Sequence, residues 1–240
     1  MVERLLRNLL LLLAHLLTGV RGLWASAPPQ GPTIYFANHV SHADFVMLWA
    51  ALPSVLRERT RPVAGADYWG RGRLRRYIGE QVVRAVLIER DAAARQGDPI
   101  QMMGDVLRAE QNLILFPEGT RNRSDAVLLP FRSGLYHLAQ AHPEATLIPA
   151  WMDNLHRVLP KGAIVPVPLL CTVRFGPPLQ RLAGESKVEF LDRARQAVLA
   201  LREDAVAHRD DPPEVLEPQP VSGAETNPIA TPSSEPGDIA

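Results

Sequence analysis

Through the middle of the chain, short runs of apolar, β-prone residues alternate with stretches in which apolar residues return every three or four positions. Thr33–Ala37, Val82–Ile88, Asn112–Phe116, Thr146–Met152 and Leu169–Phe175 are of the first kind and predict strands. Phe45, Leu48, Trp49 and Leu52 stand at i, i+3, i+4 and i+7, the signature of one helical face. Asp98-Pro99 supplies a cap and an N1 proline ahead of Ile100, Met103 and Leu107, and a further helix is expected over Arg132–Ala141. The last helix runs from Lys187 to about Ala207. It starts at a Ser186/Glu189 capping box and buries Leu191, Ala194, Val198, Leu201 and Ala205. Such alternation predicts an α/β fold, a single domain whose mixed, largely parallel sheet is covered by helices.

The two ends break this pattern. Leu5 to Val20 is nearly all apolar, but Arg7, Asn8 and His15 interrupt it, and the clean run from Leu9 falls well short of the ~20 residues of a spanning helix. With Arg4 and Arg7 before it and Arg21 and Trp24 after it, residues 1–27 read as a helix lying in the membrane interface. Two alternatives stay open. One is a secretory signal ending at Ala25-Ser26-Ala27, against which Pro28 stands directly after the would-be cleavage point; the other is a buried core helix. From Asp210 to Ala240 the chain is rich in Pro, Ser, Thr and Glu, a composition that predicts a disordered acidic tail and leaves 28–209 as the folded domain.

Charge changes the picture once the tail is set apart. The chain balances 26 basic against 26 acidic residues, yet seven of the acids lie in 210–240, where Lys and Arg are absent. Residues 1–209 therefore carry 19 acids against 26 bases, which suits anionic lipids or phosphates as partners. Arg outnumbers Lys 24 to 2; this serves bidentate phosphate binding or simply reflects genome composition. The single cysteine, Cys171, excludes an internal disulfide and suits a reducing compartment.

The chemistry concentrates where strands end. Thr33–Ala37 runs straight into Asn38-His39-Val40-Ser41-His42-Ala43-Asp44, after which the helical pattern begins. Positions five apart on one helix diverge by about 140° at 3.6 residues per turn, so His39 and Asp44 meet only across a bend. A strand-to-helix turn provides one. Asp44 would then fix one imidazole nitrogen of His39 and leave the other to take a proton from a hydroxyl, general-base chemistry without a serine or cysteine nucleophile. Ser41-x-x-Asp44 also fits a capping box, which would make Asp44 a helix start and nothing more. A metal site of His39, His42 and Asp44 would crowd three ligands together with no distant fourth. Downstream, Asn112–Phe116 ends in Pro117-Glu118-Gly119-Thr120-Arg121, where Arg121, Thr120 and backbone N–H groups would hold a phosphate monoester; an ordinary strand-to-loop turn is the alternative.

Together these motifs resemble the glycerolipid acyltransferase family typified by 1-acylglycerol-3-phosphate acyltransferase. The family's N-H-x-x-x-x-D signature is met by Asn38, His39 and Asp44, and its F-P-E-G-T/S-R block by Phe116-Pro117-Glu118-Gly119-Thr120-Arg121, in the family's order. Ile88-Glu89-Arg90 is similar to the Ile-x-Arg that helps to bind the acceptor phosphate. Leu129-Pro130-Phe131-Arg132-Ser133-Gly134 resembles an L-P-F-K-x-G stretch, and Ile148-Pro149-Ala150 stands where Val-Pro-Val is usual. The chain departs from the family before Arg90, where Arg84-Ala85-Val86-Leu87 replaces a glycine and a phenylalanine, and over the basic segment Arg71 to Arg76.

The resemblance implies direct transfer of a fatty acyl group from acyl-CoA or acyl carrier protein to a hydroxyl of lysophosphatidate, giving phosphatidate. His39 would be the base and Asp44 its orienting partner. Glu118 and Gly119 would line the site, and Arg90, Thr120 and Arg121 would position the acceptor phosphate. It implies no metal and no bound cofactor, a membrane surface rather than nucleic acid as partner, and a peripheral or monotopic place at the cytoplasmic face of the cell membrane. Another lysolipid acceptor, or a catalytically silent phospholipid-binding protein, are the alternatives. A thioesterase or lipase lacks support, since no G-x-S-x-G elbow occurs.

Overall fold

Five consecutive buried residues, Thr33–Ala37, form the strand around which the sheet is built. The computed structural model describes residues 1–70, 72–89, 91, 93, 97–153 and 171–207. Its strands are β1 (Arg21–Trp24), β2 (Thr33–Ala37), β3 (Thr60–Gly65), β4 (Val86–Ile88), β5 (Asn112–Leu115), β6 (Thr146–Asp153) and β7 (Thr172–Phe175). They form one sheet in the order β1-β7-β6-β2-β5-β3-β4. All neighbours are parallel except β6 and β7, so β1 and β7 run against the other five.

Because side chains alternate along a strand, β2 feeds two cores. Tyr35 and Ala37 join Ile114, Ile148 and Phe175 under α1 (Val2–Thr18) and α2 (Asp44–Ala51). Ile34 and Phe36 join Leu113 and Leu147 on the other face, beneath α6 (Pro99–Arg108), α7 (Gly134–Ala141) and α8 (Lys187–Ala207). The expected caps are present: the Asp98 carboxylate accepts from the Ile100 N–H at 2.9 Å, and Ser186 and Glu189 exchange both capping-box bonds, at 2.9 and 3.3 Å. At the amino ends of the central strands, the Asn112 side chain accepts from Thr33 N–H and donates to the Thr60 hydroxyl, both at 3.1 Å, tying β2, β5 and β3 together.

The structure departs from the expected elements in four places. Strands β1 and β3 carry too few apolar residues to show a run: β3 opens Thr60-Arg61-Pro62. The strand expected over Val82–Ile88 begins only at Val86, because Ile78–Val82 closes a π-helical turn and Arg84 takes a left-handed φ of 56°. Helices α3 (Ser54–Glu58), α4 (Ala66–Trp69) and α5 (Arg73–Tyr77), of four or five residues, are too short for periodicity to reveal. Trp24 is part of the fold, its ring stacked on Phe175 at 4.0 Å. Leu169, Leu170 and the expected tail 210–240 lie outside the described residues.

Helix α1 has two apolar faces. Ala14 and Thr18 are buried, with Leu10 and Leu11 packed on the core, while Leu5, Leu9, Leu12 and Leu16, at i, i+4, i+7 and i+11, are each at least half exposed. Among the described residues no helix is long and apolar enough to cross a membrane.

Helices α6 and α7 meet tightly at Gly104, where an added Cβ would collide with the imidazole of buried His142. That ring is held by the Glu144 carboxylate at 2.9 Å. Gly104→Ala gains helix propensity of about 1 kcal/mol but overpacks this contact by about 1–3 kcal/mol or more. The expected result is a melting temperature lowered by a few degrees, read by circular dichroism.

Candidate active site

The carboxyl ends of adjacent parallel strands are where open α/β sheets leave room for ligands. β2 and β5 are such a pair, with Ile34, Tyr35 and Phe36 in register with Leu113, Ile114 and Leu115. The two segments singled out in the sequence, 79 positions apart, therefore leave the sheet side by side. After β2 the chain bends before entering α2, and His39 Nδ1 lies 2.7 Å from Asp44 Oδ2. The same oxygen accepts from the N–H groups of Val40 at 2.6 Å and Ser41 at 2.9 Å. The Ser41 bond is the returning half of a capping box, but the Ser41 hydroxyl accepts from Ala43 N–H instead of Asp44 N–H. Asp44 thus braces the turn and engages the imidazole with one oxygen. It is fully buried, and its Oδ1 has no hydrogen-bond partner among the described residues.

The second segment fixes the first. Glu118, 2% exposed, accepts from His39 N–H at 2.6 Å with one carboxylate oxygen and from Leu129 N–H at 2.9 Å with the other. Asn122 N–H donates to the His39 carbonyl at 2.7 Å, and the Phe116 ring stacks on the His39 imidazole at 4.3 Å. Burial pushes the Glu118 carboxyl above the usual carboxylate range, although its two backbone donors pull the other way. Its side chain was expected to line the site; it is instead absorbed in backbone donors beneath it. Asn38, also buried, exchanges two hydrogen bonds with the Met152 backbone on β6, closing the other side of the turn.

His39 opens into a cleft of about 720 Å³ that Gly119, Thr120 and Arg121 also line. Its apolar part includes Val63, Ile88, Met103, Leu115 and Leu135. Gly119 has φ +70°, so the turn after β5 needs glycine. His42 faces the same cleft, its ring stacked on Tyr68 at 4.2 Å. Burial, and then the charge of Arg121 beside it, hold its imidazolium below the usual range. Among the described residues neither Arg121 nor Arg132 forms an ion pair. Arg90 lies outside the described residues. The sequence reading missed Asn38 and Phe116 as supports of His39, and Arg132 as a cleft residue; the motif letters contained all three without these roles. Cys171, the one thiol, is buried in the core, where desolvation pushes it up to about 11.

The fold is α/β, and at the carboxyl ends of its central strands His39 and Asp44 pair beside the cleft, the arrangement of chain and motifs found in acyltransferases. A family model described as Acyltransferase matches residues 24–153, spanning both motifs, and the chain belongs to that family. It is 29% identical over 204 residues to 1-acyl-sn-glycerol-3-phosphate acyltransferase alpha of Mus musculus, covering 81% of this chain and 68% of the relative. It is 34% identical over 152 residues to 1-acyl-sn-glycerol-3-phosphate acyltransferase of Limnanthes douglasii, covering 61% of this chain and 50% of the relative. The chain thus spans between half and about two thirds of the length of these relatives. The crystal structure of the 1-acyl-sn-glycerophosphate (LPA) acyltransferase PlsC from Thermotoga maritima has the same fold, with a TM-score of 0.63, 16% identity, and coverage of 85% of this chain and 81% of that one.

Proposed function

We propose that the chain transfers a fatty acyl group from acyl-CoA or acyl carrier protein to the free hydroxyl of lysophosphatidate, giving phosphatidate for phospholipid synthesis. The observation that carries this reading is the 2.7 Å contact between His39 Nδ1 and Asp44, at the rim of a cleft lined by Arg121 and with an apolar interior. Nδ1 is the nitrogen bound to the carboxylate, so Nε2 receives the acceptor proton. The acceptor oxygen attacks the thioester carbonyl, a C–O bond forms, the C–S bond breaks, and the thiolate leaves with the proton that His39 has held. Arg121 and Thr120, with Arg90, position the phosphate, and Glu118 acts through the backbone of His39 as a positioning residue. Holding hydroxyl and thioester in line is worth as much as the proton transfer itself.

In this reading α1, the helical part of residues 1–27, holds the chain at the cytoplasmic face of the membrane as a peripheral or monotopic protein, while β1 joins 28–209 in the domain that carries the transfer. The exposed leucines of α1 support it, since among the described residues the stripe of Leu5, Leu9, Leu12 and Leu16 enters no core. Four half-inserted leucines contribute about 1 kcal/mol each in lipid. Replacing these four by glutamine should weaken binding to phosphatidylglycerol-containing vesicles by about a thousandfold at high salt, measured by co-sedimentation. Unchanged binding would remove α1 as the anchor.

A panel of acceptors tests the substrate. With acyl-CoA and the purified full chain, lysophosphatidate should be acylated far faster than lysophosphatidylcholine or monoacylglycerol. Preference for a neutral or zwitterionic acceptor would overturn the assignment, and turnover of none would favour a lipid-binding protein.

A further inference from the structure

The cleft holds one cation, Arg132, to which the sequence reading gave no role. Arg132 follows the turn Leu129-Pro130-Phe131 and directly precedes α7. Its backbone N–H donates to the Pro117 carbonyl at 2.8 Å, and its side-chain Nε donates to the Glu118 carbonyl at 3.3 Å. The side chain therefore lies across the Gly119 turn. A Cβ on Gly119 would come within 2.5 Å of Arg132 Cδ and 2.6 Å of Nε, so the missing side chain at 119 is what gives the arginine its place. Gly119 thus meets two demands at once, a left-handed φ and room for this stem.

The arginine is exposed, and it lines the cleft with His39, Gly119, Thr120 and Arg121. Its Nε bond to a carbonyl fixes the stem and leaves the terminal nitrogens as donors, with no carboxylate against them among the described residues. Charge is also divided along the cleft. Its acids Asp67, Glu89 and Asp98 follow β3 and β4 or open α6, whereas Arg121 follows β5, beside the end of β2 that carries the imidazoles of His39 and His42. Arg132 belongs to the second group through its bonds to Pro117 and Glu118. Among the described residues Arg121 is the one guanidinium so assigned, and a dianionic phosphate monoester, with three terminal oxygens as acceptors, takes further charged donors beside it.

We propose that Arg132 is a further binding cation for the acceptor's phosphate monoester, acting beside Arg121, and that it sets the preference for phosphate-terminated over neutral acceptors. This rests on the reading of the cleft as an acceptor site. The test compares the full chain with Arg132→Gln, which keeps a donor and loses the charge, and Arg132→Lys, which keeps the charge. For Arg132→Gln, KM for lysophosphatidate should rise about tenfold to a hundredfold, the scale of a charge-assisted contact. KM for acyl-CoA and the rate with monoacylglycerol should stay within about twofold of the parent, and Arg132→Lys should recover much of the loss. Titration with glycerol 3-phosphate, followed calorimetrically, reads the same site without turnover. Its affinity should fall by the same factor in Arg132→Gln, so the inference stands or falls even if lysophosphatidate proves not to be the acceptor. Parent-like affinity for glycerol 3-phosphate in Arg132→Gln would overturn the proposal. So would a rise in both KM values together with a fall in melting temperature that Arg132→Lys shares, since Arg132 would then only brace the turn.

Discussion

Replacing His39 by alanine is expected to lower turnover by about 10²–10⁴-fold, the usual contribution of a positioned general base, with substrate KM values little changed. The fold should survive, because the bonds that hold this segment pass through the backbone. Glu118 accepts from His39 N–H, Asn122 donates to its carbonyl, and Asp44 keeps Val40 and Ser41. The loss in packing is the stack on Phe116 at the cleft wall, worth about 1 kcal/mol. Rate measurement beside a thermal melt separates the two effects. Near-parental turnover in a folded His39→Ala protein would rule out the imidazole as base.

The second large effect is expected from Asp44→Asn, and its size follows from the crowding at Oδ2. Three donors converge there: His39 Nδ1, Val40 N–H and Ser41 N–H. The asparagine oxygen must take that place, since an NH₂ group would face two backbone N–H donors. The amide nitrogen then occupies the buried position of Oδ1, which already has no partner among the described residues. His39 keeps its orientation and its tautomer, and only the negative charge that stabilises the imidazolium is lost. Where the same change also inverts the tautomer of a catalytic histidine, as in the serine-protease triad, the cost is about 10⁴-fold. Here the expected loss in turnover is smaller, about 10²–10³-fold, with a stability cost of about 1–3 kcal/mol for the buried amide. A protein that is destabilised yet turns over normally would make Asp44 a helix cap alone.

Much of this site was readable because it sits where the hydrophobic pattern changes period. The apolar run Ile34-Tyr35-Phe36 gives way to polar residues and then to helical spacing from Phe45, and that break is the bend through which His39 reaches Asp44. The spacing also exposed the capping box, and the structure shows the two readings of Asp44 to be compatible in geometry, since its Oδ2 takes both the imidazole and the Ser41 N–H. What periodicity could not supply is adjacency. The bond from His39 N–H to Glu118 exists because β2 and β5 are neighbours, a property of strand order. Strand β3, which separates β5 from β4, was hidden by Arg61 and Pro62, whose backbones join the sheet although their side chains do not signal it. Arg132 was hidden for a different reason, its place being set by an atom that Gly119 lacks.

The central claim is direct transfer from a thioester to a lysolipid hydroxyl, and the most direct measurement is a coupled one. The purified full chain is mixed with acyl-labelled acyl-CoA, with and without lysophosphatidate, while free thiol, labelled lipid and the intact mass of the protein are followed together. With acceptor present, thiol release and labelled phosphatidate should appear in equal amounts. Without it, neither thiol nor free fatty acid should form, and the protein mass should stay unchanged, because no covalent acyl-enzyme lies on the path. Thiol release without acceptor, accompanied by free fatty acid or by an acylated protein, would contradict the account.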